Sequence, residues 1–559
     1  MVIPFKQDKN TVWGSHPRPQ CKREHYYILN EGWTLNGSEI CLPFSPQAQL
    51  SHYAGSITDD LTYLCHFSIP ATFRKKRILL HFGAVDQTAD IYINDTFMGH
   101  NEGGYIPFTL DVTDVIQKDT ENELKVIVQD DLNKDYPYGK QTKHPSGMWY
   151  TPVSGIWQNV WLENVPDIYI TNLKIDTSLD QVEISLSYNS SERAMDVFEV
   201  SVSLASDTFT QSFAKEKAIL TVKNPIYWTP NNPHLYPITI TAGDDVIESY
   251  FALRTITIEN VDGVNRVCLN HQPIFLHGVL DQGYFHDGLF LPREEVGYDQ
   301  DILNMKELGF NMLRKHIKIE PDCFYYACDK LGMLVVQDMV NSGDYSFLRD
   351  TVLPTIGMKR KKDVHLTADD KRKQIFMEQM RLTIEHLYNH PCVVAYTIFN
   401  EGWGQFDSDE MYDFGKSLDP TRLFDSTSGW FAQRKNDFDS QHIYFRLKKL
   451  KTKERPLFIS ECGGYKLLDK SHFFGDKEYG YGTCKDSTDL TNRIIEMYEK
   501  MIIPGIKDGV CGSVYTQLSD VEGEINGLYT YDRAVCKVEK EKMRAIAQKI
   551  CNALNDYYL

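Results

Sequence analysis

Hydrophobic and polar positions follow three rhythms along the chain, and each predicts a different architecture. From about residue 20 to 165, apolar side chains recur at every second position in short runs, among them Leu61–Ile69, Arg77–Phe82, Ala89–Ile93 and Leu124–Val128. Asn94-Asp95 and Gly103-Gly104 punctuate these runs, and period-two alternation between turn residues predicts an antiparallel β-sandwich. From about 166 to 260 the alternation is cleaner. Ser, Thr and Glu take the outward positions of Val182–Tyr188, Val197–Leu204 and Pro237–Thr241, which predicts an immunoglobulin-like sandwich. From about 261, strand candidates alternate with helical segments such as Leu303, Met305 and Leu308 before Gly309, a C′ glycine, and this predicts a (β/α)8 barrel. Eight strand candidates begin near Ile274, Asn311, Leu334, Val393, Leu423, His442, Leu457 and Ser513. The expected units are 1–166, 167–260 and 261–559.

Composition narrows the partners. The 559 residues, 42% of them apolar, suffice for several sizeable cores. A net charge of −18 argues against nucleic acid and anionic membrane surfaces as partners, because a polyanion is repelled. Met1–Asp8 lacks a basic head followed by an apolar core, and no apolar run approaches the roughly 20 residues that span a bilayer. Twelve cysteines without a C-x-x-C pair read as reduced thiols of a cytoplasmic protein. No metal-ligand spacing such as H-E-x-x-H occurs, so neither metal nor organic cofactor is expected.

Candidate chemistry sits where apolar runs stop. Cys392–Phe399 is apolar without alternation, as in a strand buried on both faces, and it ends abruptly in Asn400-Glu401-Gly402-Trp403-Gly404. Leu457–Ile459 ends in the same way, in Ser460-Glu461-Cys462-Gly463-Gly464. Parallel barrels keep their chemistry at the C-terminal strand ends. Two glutamates on one rim, if they face each other, are the pair that cleaves a glycosidic bond with retention, one protonating the leaving oxygen and one attacking the anomeric carbon. Their separation of 60 positions does not fix that distance, and each could instead cap its loop. Gln282, Arg314, His316, His442, Tyr444 and Tyr515 also fall at strand ends, so every strand except the third delivers polar or aromatic groups to one rim.

The run from Tyr388-Asn389-His390-Pro391 to Phe399-Asn400-Glu401 resembles the acid/base signature of glycoside hydrolase family 2, with Tyr396 where that family usually has Trp. Asn311–His316 and Asp329–Val336 are similar to its other signature. The resemblance implies an N-terminal jelly-roll, sugar-binding-like domain ahead of the other two units. It implies Glu401 as general acid/base, Glu461 as nucleophile, Arg314 and Tyr444 as groups holding the nucleophile, and Asn400 on the sugar 2-hydroxyl. His316 and His442 read either as sugar-hydroxyl partners or as core histidines, Trp403 and Tyr515 either as rings stacked on the sugar or as filling of the mouth, and Gln282 and Asn526 as sugar contacts. The first domain's long loop either brings Asp131 over the mouth, as the family's corresponding loop does, or is a solvated crossover. The implied reaction is exo-acting hydrolysis of a small-molecule or oligosaccharide β-glycoside. Glu524 and Asn526 stand where β-glucuronidases place an Asn-x-Lys pair, which favours a galactoside over a glucuronide or galacturonide. A non-catalytic carbohydrate-binding protein is the competing class, and assembly as a homo-oligomer stays open.

Overall fold

The computed structural model describes residues 13–70, 72–73, 75–189, 197–204, 207–214, 217–355, 362–363, 368–444, 447–451 and 454–555. The stretch Met1–Asp8 and Phe445 lie outside these residues.

In the first unit a six-stranded and a four-stranded antiparallel sheet face each other. The alternation read from the sequence is the packing itself. In the strand Asp60–Phe67, Leu61, Tyr63, Cys65 and Phe67 are buried while His66 and Asp60 are exposed. Those side chains close a core with Trp33, Leu80, Ile91 and Val126. The second unit divides seven strands into a three-stranded and a four-stranded sheet, the division of an immunoglobulin-like sandwich. Arg23 ties the two sandwiches together, bonding Glu163 at 2.8 Å and Asp245 at 2.9 Å.

The third unit contains eight parallel strands: β1 (Leu276–Asp281), β2 (Met312–Lys315), β3 (Leu334–Asp338), β4 (Val393–Asn400), β5 (Leu423–Ser428), β6 (Asp439–Ile443), β7 (Leu457–Gly463) and β8 (Val510–Thr516). They pair in the order β5-β4-β3-β2-β1-β8-β7-β6, a barrel closed everywhere except between β5 and β6. Side chains bridge that seam: Ser440 Oγ donates to Asp425 Oδ2 at 2.6 Å, and Ser428 Oγ lies 2.8 Å from His442 Nε2. All eight strands begin within about three residues of their expected starts. One helical expectation needs correction, because Leu303 of the helix Val296–Glu307 is exposed and Tyr298, Ile302 and Met305 form its buried face.

Among the described residues no helix is long and apolar enough to cross a membrane, and all twelve cysteines are free.

Candidate active site

Glu401 follows β4 directly, and its backbone is left-handed at φ 52°. A non-glycine residue there costs on the order of 1–2 kcal/mol, a local strain that turns the carboxylate over the barrel mouth. The turn continues through Gly404 at φ 68°, where a β-carbon would meet the Ser342 carbonyl oxygen at 2.1 Å. Glu461 sits on β7, and the ligand atoms of Glu401, His442 and Glu461 lie within 4.8 Å of one another. This spacing also suits a three-ligand divalent cation. The His442 Nδ1 lies between the two carboxylates, 2.7 Å from Glu401 Oε1 and 3.5 Å from Glu461 Oε2.

The two carboxylates have different surroundings. Glu461 is buried and receives Arg314 Nη1 at 3.0 Å on Oε1 and the Tyr444 hydroxyl on Oε2. Burial opposes its ionisation, but His442, Arg314, His316 and the Tyr444 hydroxyl prevail and hold it down at about 2. Glu401 accepts His442 Nδ1 at 2.7 Å on Oε1, while its Oε2 makes no hydrogen bond among the described residues. One carboxylate is thus locked as an anion, and the other keeps an oxygen open to the pocket.

Arg314, with no exposed surface, organises the floor. It donates to Asp338 Oδ1 at 2.9 Å, to the Ser460 carbonyl at 2.8 Å and to Asn400 Oδ1 at 2.9 Å, besides Glu461. The last bond leaves the Asn400 amide N–H groups for a ligand. His316 Nδ1 lies 2.6 Å from Asp338 Oδ2, so the carboxylate fixes the N–H there and turns Nε2 outward as an acceptor. Burial lowers this imidazole to about 4, helped by Lys140 and Arg314 and only partly offset by Asp338. The sign follows: between pH 6.5 and about 4 the unfolded chain binds the proton and the fold does not, so stability falls as pH drops through that window. In urea titrations His316→Gln should reduce this acid loss by on the order of 3 kcal/mol. An unchanged pH slope would remove His316 as its source.

Not every expected residue arrives. Asp131 is exposed on the first sandwich, where the chain turns as Leu132 N bonds Asp130 Oδ1 at 3.0 Å, so this carboxylate does not reach the pair. Tyr515 is fully buried against Gly463 and points into the helix layer, because on β8 it is the neighbouring Thr516 that faces inward, 3.3 Å from the Tyr444 hydroxyl. Trp403 is buried in the wall against Tyr138, Trp149 and Tyr345, its indole N–H on the Gly343 carbonyl at 3.0 Å. Gln282 pairs with Gln517 at 2.8 Å beneath the mouth. Asn526 donates to Glu524 Oε1 at 2.9 Å, and Glu524 also receives the Tyr150 hydroxyl from the first sandwich. The third strand was underestimated: it ends in Gln337-Asp338, and Asp338 carries both Arg314 and His316. The apolar run Leu334–Val336 stopping at Gln and Asp was the available signal.

Family models for glycosyl hydrolases family 2 match three stretches: a galactose-binding domain-like part over residues 47–157, a central part over 168–254 and a TIM barrel domain over 260–462. The chain belongs to glycosyl hydrolases family 2. A β-galactosidase of Thermoanaerobacter pseudethanolicus is 26% identical over 64% of this chain and 47% of its own length. A putative β-glucuronidase of Formosa agariphila is 25% identical over 65% of this chain and 34% of its own length. The chain therefore spans half or less of the length of these curated relatives. A solved β-D-glucuronidase of Dictyoglomus thermophilum superposes with a TM-score of 0.74 at 18% identity, covering 95% of this chain and 98% of that one. That likeness establishes the fold. Within this family 2 chain the signature has a structural half as well. Asn389 Nδ2 donates to the Leu173 carbonyl at 2.6 Å, and His390 lies 2.7 Å from Asp329, which also receives Tyr250 of the second sandwich at 2.7 Å. These contacts seat the second sandwich on the barrel behind β4.

Proposed function

We propose that the protein is a retaining, exo-acting β-glycosidase with Glu461 as nucleophile and Glu401 as general acid/base. The observation that supports this most strongly is the facing pair within 4.8 Å, since retention needs carboxyl groups roughly 5 to 5.5 Å apart and inversion leaves room for a water at about 6.5 Å or more. The reaction runs in two steps. Glu461 attacks the anomeric carbon while Glu401 gives its proton to the departing oxygen, and Glu401 then takes a proton from the water that releases the sugar. Arg314 and Tyr444 keep the nucleophile ionised, Asn400 offers its amide to the 2-hydroxyl, and His316 offers Nε2 to a further hydroxyl. A purely sugar-binding protein has no use for a buried carboxylate held ionised at the floor of its pocket. In this reading residues 1–166 form a jelly-roll, sugar-binding-like domain, 167–260 an immunoglobulin-like spacer and 261–559 the catalytic barrel. The twelve free thiols suit a reducing cytoplasm.

For the sugar the favoured reading is a neutral glycoside, galactoside first. Glu524 is buried beside the pocket, and an ionised carboxylate 4 Å from a uronate would cost about 4 kcal/mol at an effective dielectric of 20, a near thousandfold upper limit. Burial raises the Glu524 carboxyl, only partly opposed by Tyr150, Lys140 and Asn526, so the effective repulsion is smaller. We expect kcat/KM for nitrophenyl β-galactoside to exceed that for nitrophenyl β-glucuronide by at least tenfold. A ratio favouring the glucuronide would overturn the sugar and leave the glutamates untouched.

A further inference from the structure

Lys140 stands apart from the other cations near the pocket. Arg314 is shared by Asp338 and Glu461, Lys315 is held by Asp281 at 2.8 Å and Glu320 at 2.5 Å, and Lys318 by Glu320 at 2.9 Å. Among the described residues the Lys140 ammonium makes no ion pair and no hydrogen bond; it lies 5.8 Å above the Trp149 ring.

Its backbone is fixed from both sides. The N–H groups of Tyr138 and Gly139 donate to the Asn341 carbonyl beyond β3 at 3.0 and 3.3 Å, and the Lys140 carbonyl accepts Tyr150 N at 2.9 Å. Gln141 is buried, donating to Asp86 Oδ2 at 2.9 Å and to the Tyr105 hydroxyl at 3.1 Å and accepting Val153 N at 2.6 Å. Gly139, at φ 65°, packs so closely that a β-carbon would sit 2.9 Å from the Ile317 carbonyl oxygen. The loop of the first sandwich is therefore clamped to the barrel next to His316.

The surroundings place the ammonium at the pocket. Trp149, beneath it, meets Trp403 at 4.9 Å and Tyr345 at 5.1 Å, and Trp403 is two residues from Glu401. Tyr150, the backbone partner of Lys140, bonds Glu524 through its hydroxyl. The positive charge is felt by both His316, which adjoins Asp338 at 2.6 Å, and Glu524, which accepts the Tyr150 hydroxyl. Three unused N–H donors over an aromatic wall suit a ligand with clustered oxygens.

We infer that Lys140 is a specificity-determining residue contributed by the first sandwich, its ammonium donating to the oxygen substituents on the sugar edge opposite the anomeric carbon. This rests on the glycosidase reading and on the neutral sugar favoured above. Lys140→Met keeps the alkyl stem over Trp149 and removes the donors. It should lower kcat/KM for nitrophenyl β-galactoside by about 10- to 100-fold, the worth of a hydrogen bond from a charged group, with an unchanged thermal midpoint. With 4-deoxy and 6-deoxy galactosides, the one that lacks the contacted oxygen should be poor for the wild type and no poorer for Lys140→Met. Activity of the variant within twofold of wild type, or a deoxy deficit that persists in the variant, would overturn the inference. If the wild type prefers the glucuronide, the neutral-sugar reading fails by itself. The same variant is then assayed on the glucuronide, where the same fall upholds Lys140 and its absence rejects it.

Discussion

Replacing Glu461 with Gln should lower kcat by on the order of 10⁴-fold or more, the scale at which loss of an attacking group is felt. The amide preserves shape but supplies no charge to the anomeric carbon. Folding should survive, because Arg314 keeps its bond to Asp338 at 2.9 Å and no buried cation is stranded. Glu461→Ala opens space at the floor of the pocket, where added azide should attack in place of the carboxylate and yield a glycosyl azide of inverted configuration. The measurements are steady-state kcat and circular dichroism. Near-normal turnover in Glu461→Gln would remove this residue from the reaction.

The second large effect concerns Glu401. In Glu401→Ala, substrates with poor leaving groups should lose on the order of 10²- to 10⁴-fold in kcat/KM, the range of general acid catalysis, while activated aryl glycosides that depart without a proton lose far less in their first step. The dependence of log kcat/KM on leaving-group pKa should therefore steepen. Glu401→Ala breaks the bond to His442 Nδ1 but leaves the β4 ladders intact and Glu461 Oε2 3.5 Å from that nitrogen, so the thermal midpoint should stay close to wild type. Equal losses across all leaving groups would mean that Glu401 serves the architecture and not the proton.

The limits of reading this site from sequence are physical. Strand existence was legible because buried parallel strands are unbroken apolar runs that stop at the rim, and Asn400-Glu401 and Ser460-Glu461 mark such stops. The same property hides orientation. A strand without alternation does not say which residue faces inward, and so Tyr515 was expected where Thr516 points. The loop carrying Asp131 has no periodicity at all. Its contribution depends on hydrogen bonds to Asn341, some 200 residues away, which bring Lys140, Trp149 and Tyr150 to the pocket and leave Asp131 outside. His442 was legible as a strand-end histidine, but its place between two carboxylates follows from the unpaired seam of β5 and β6, which only the closed barrel reveals.

Retention at the anomeric centre is the central claim, and proton NMR of the first product formed tests it most directly. Fresh enzyme with nitrophenyl β-galactoside, or with whichever β-glycoside it turns over fastest, should release the β-anomer of the free sugar first, the α-anomer growing in only at the rate of mutarotation. Initial appearance of the α-anomer would contradict the double displacement and the roles assigned to Glu401 and Glu461.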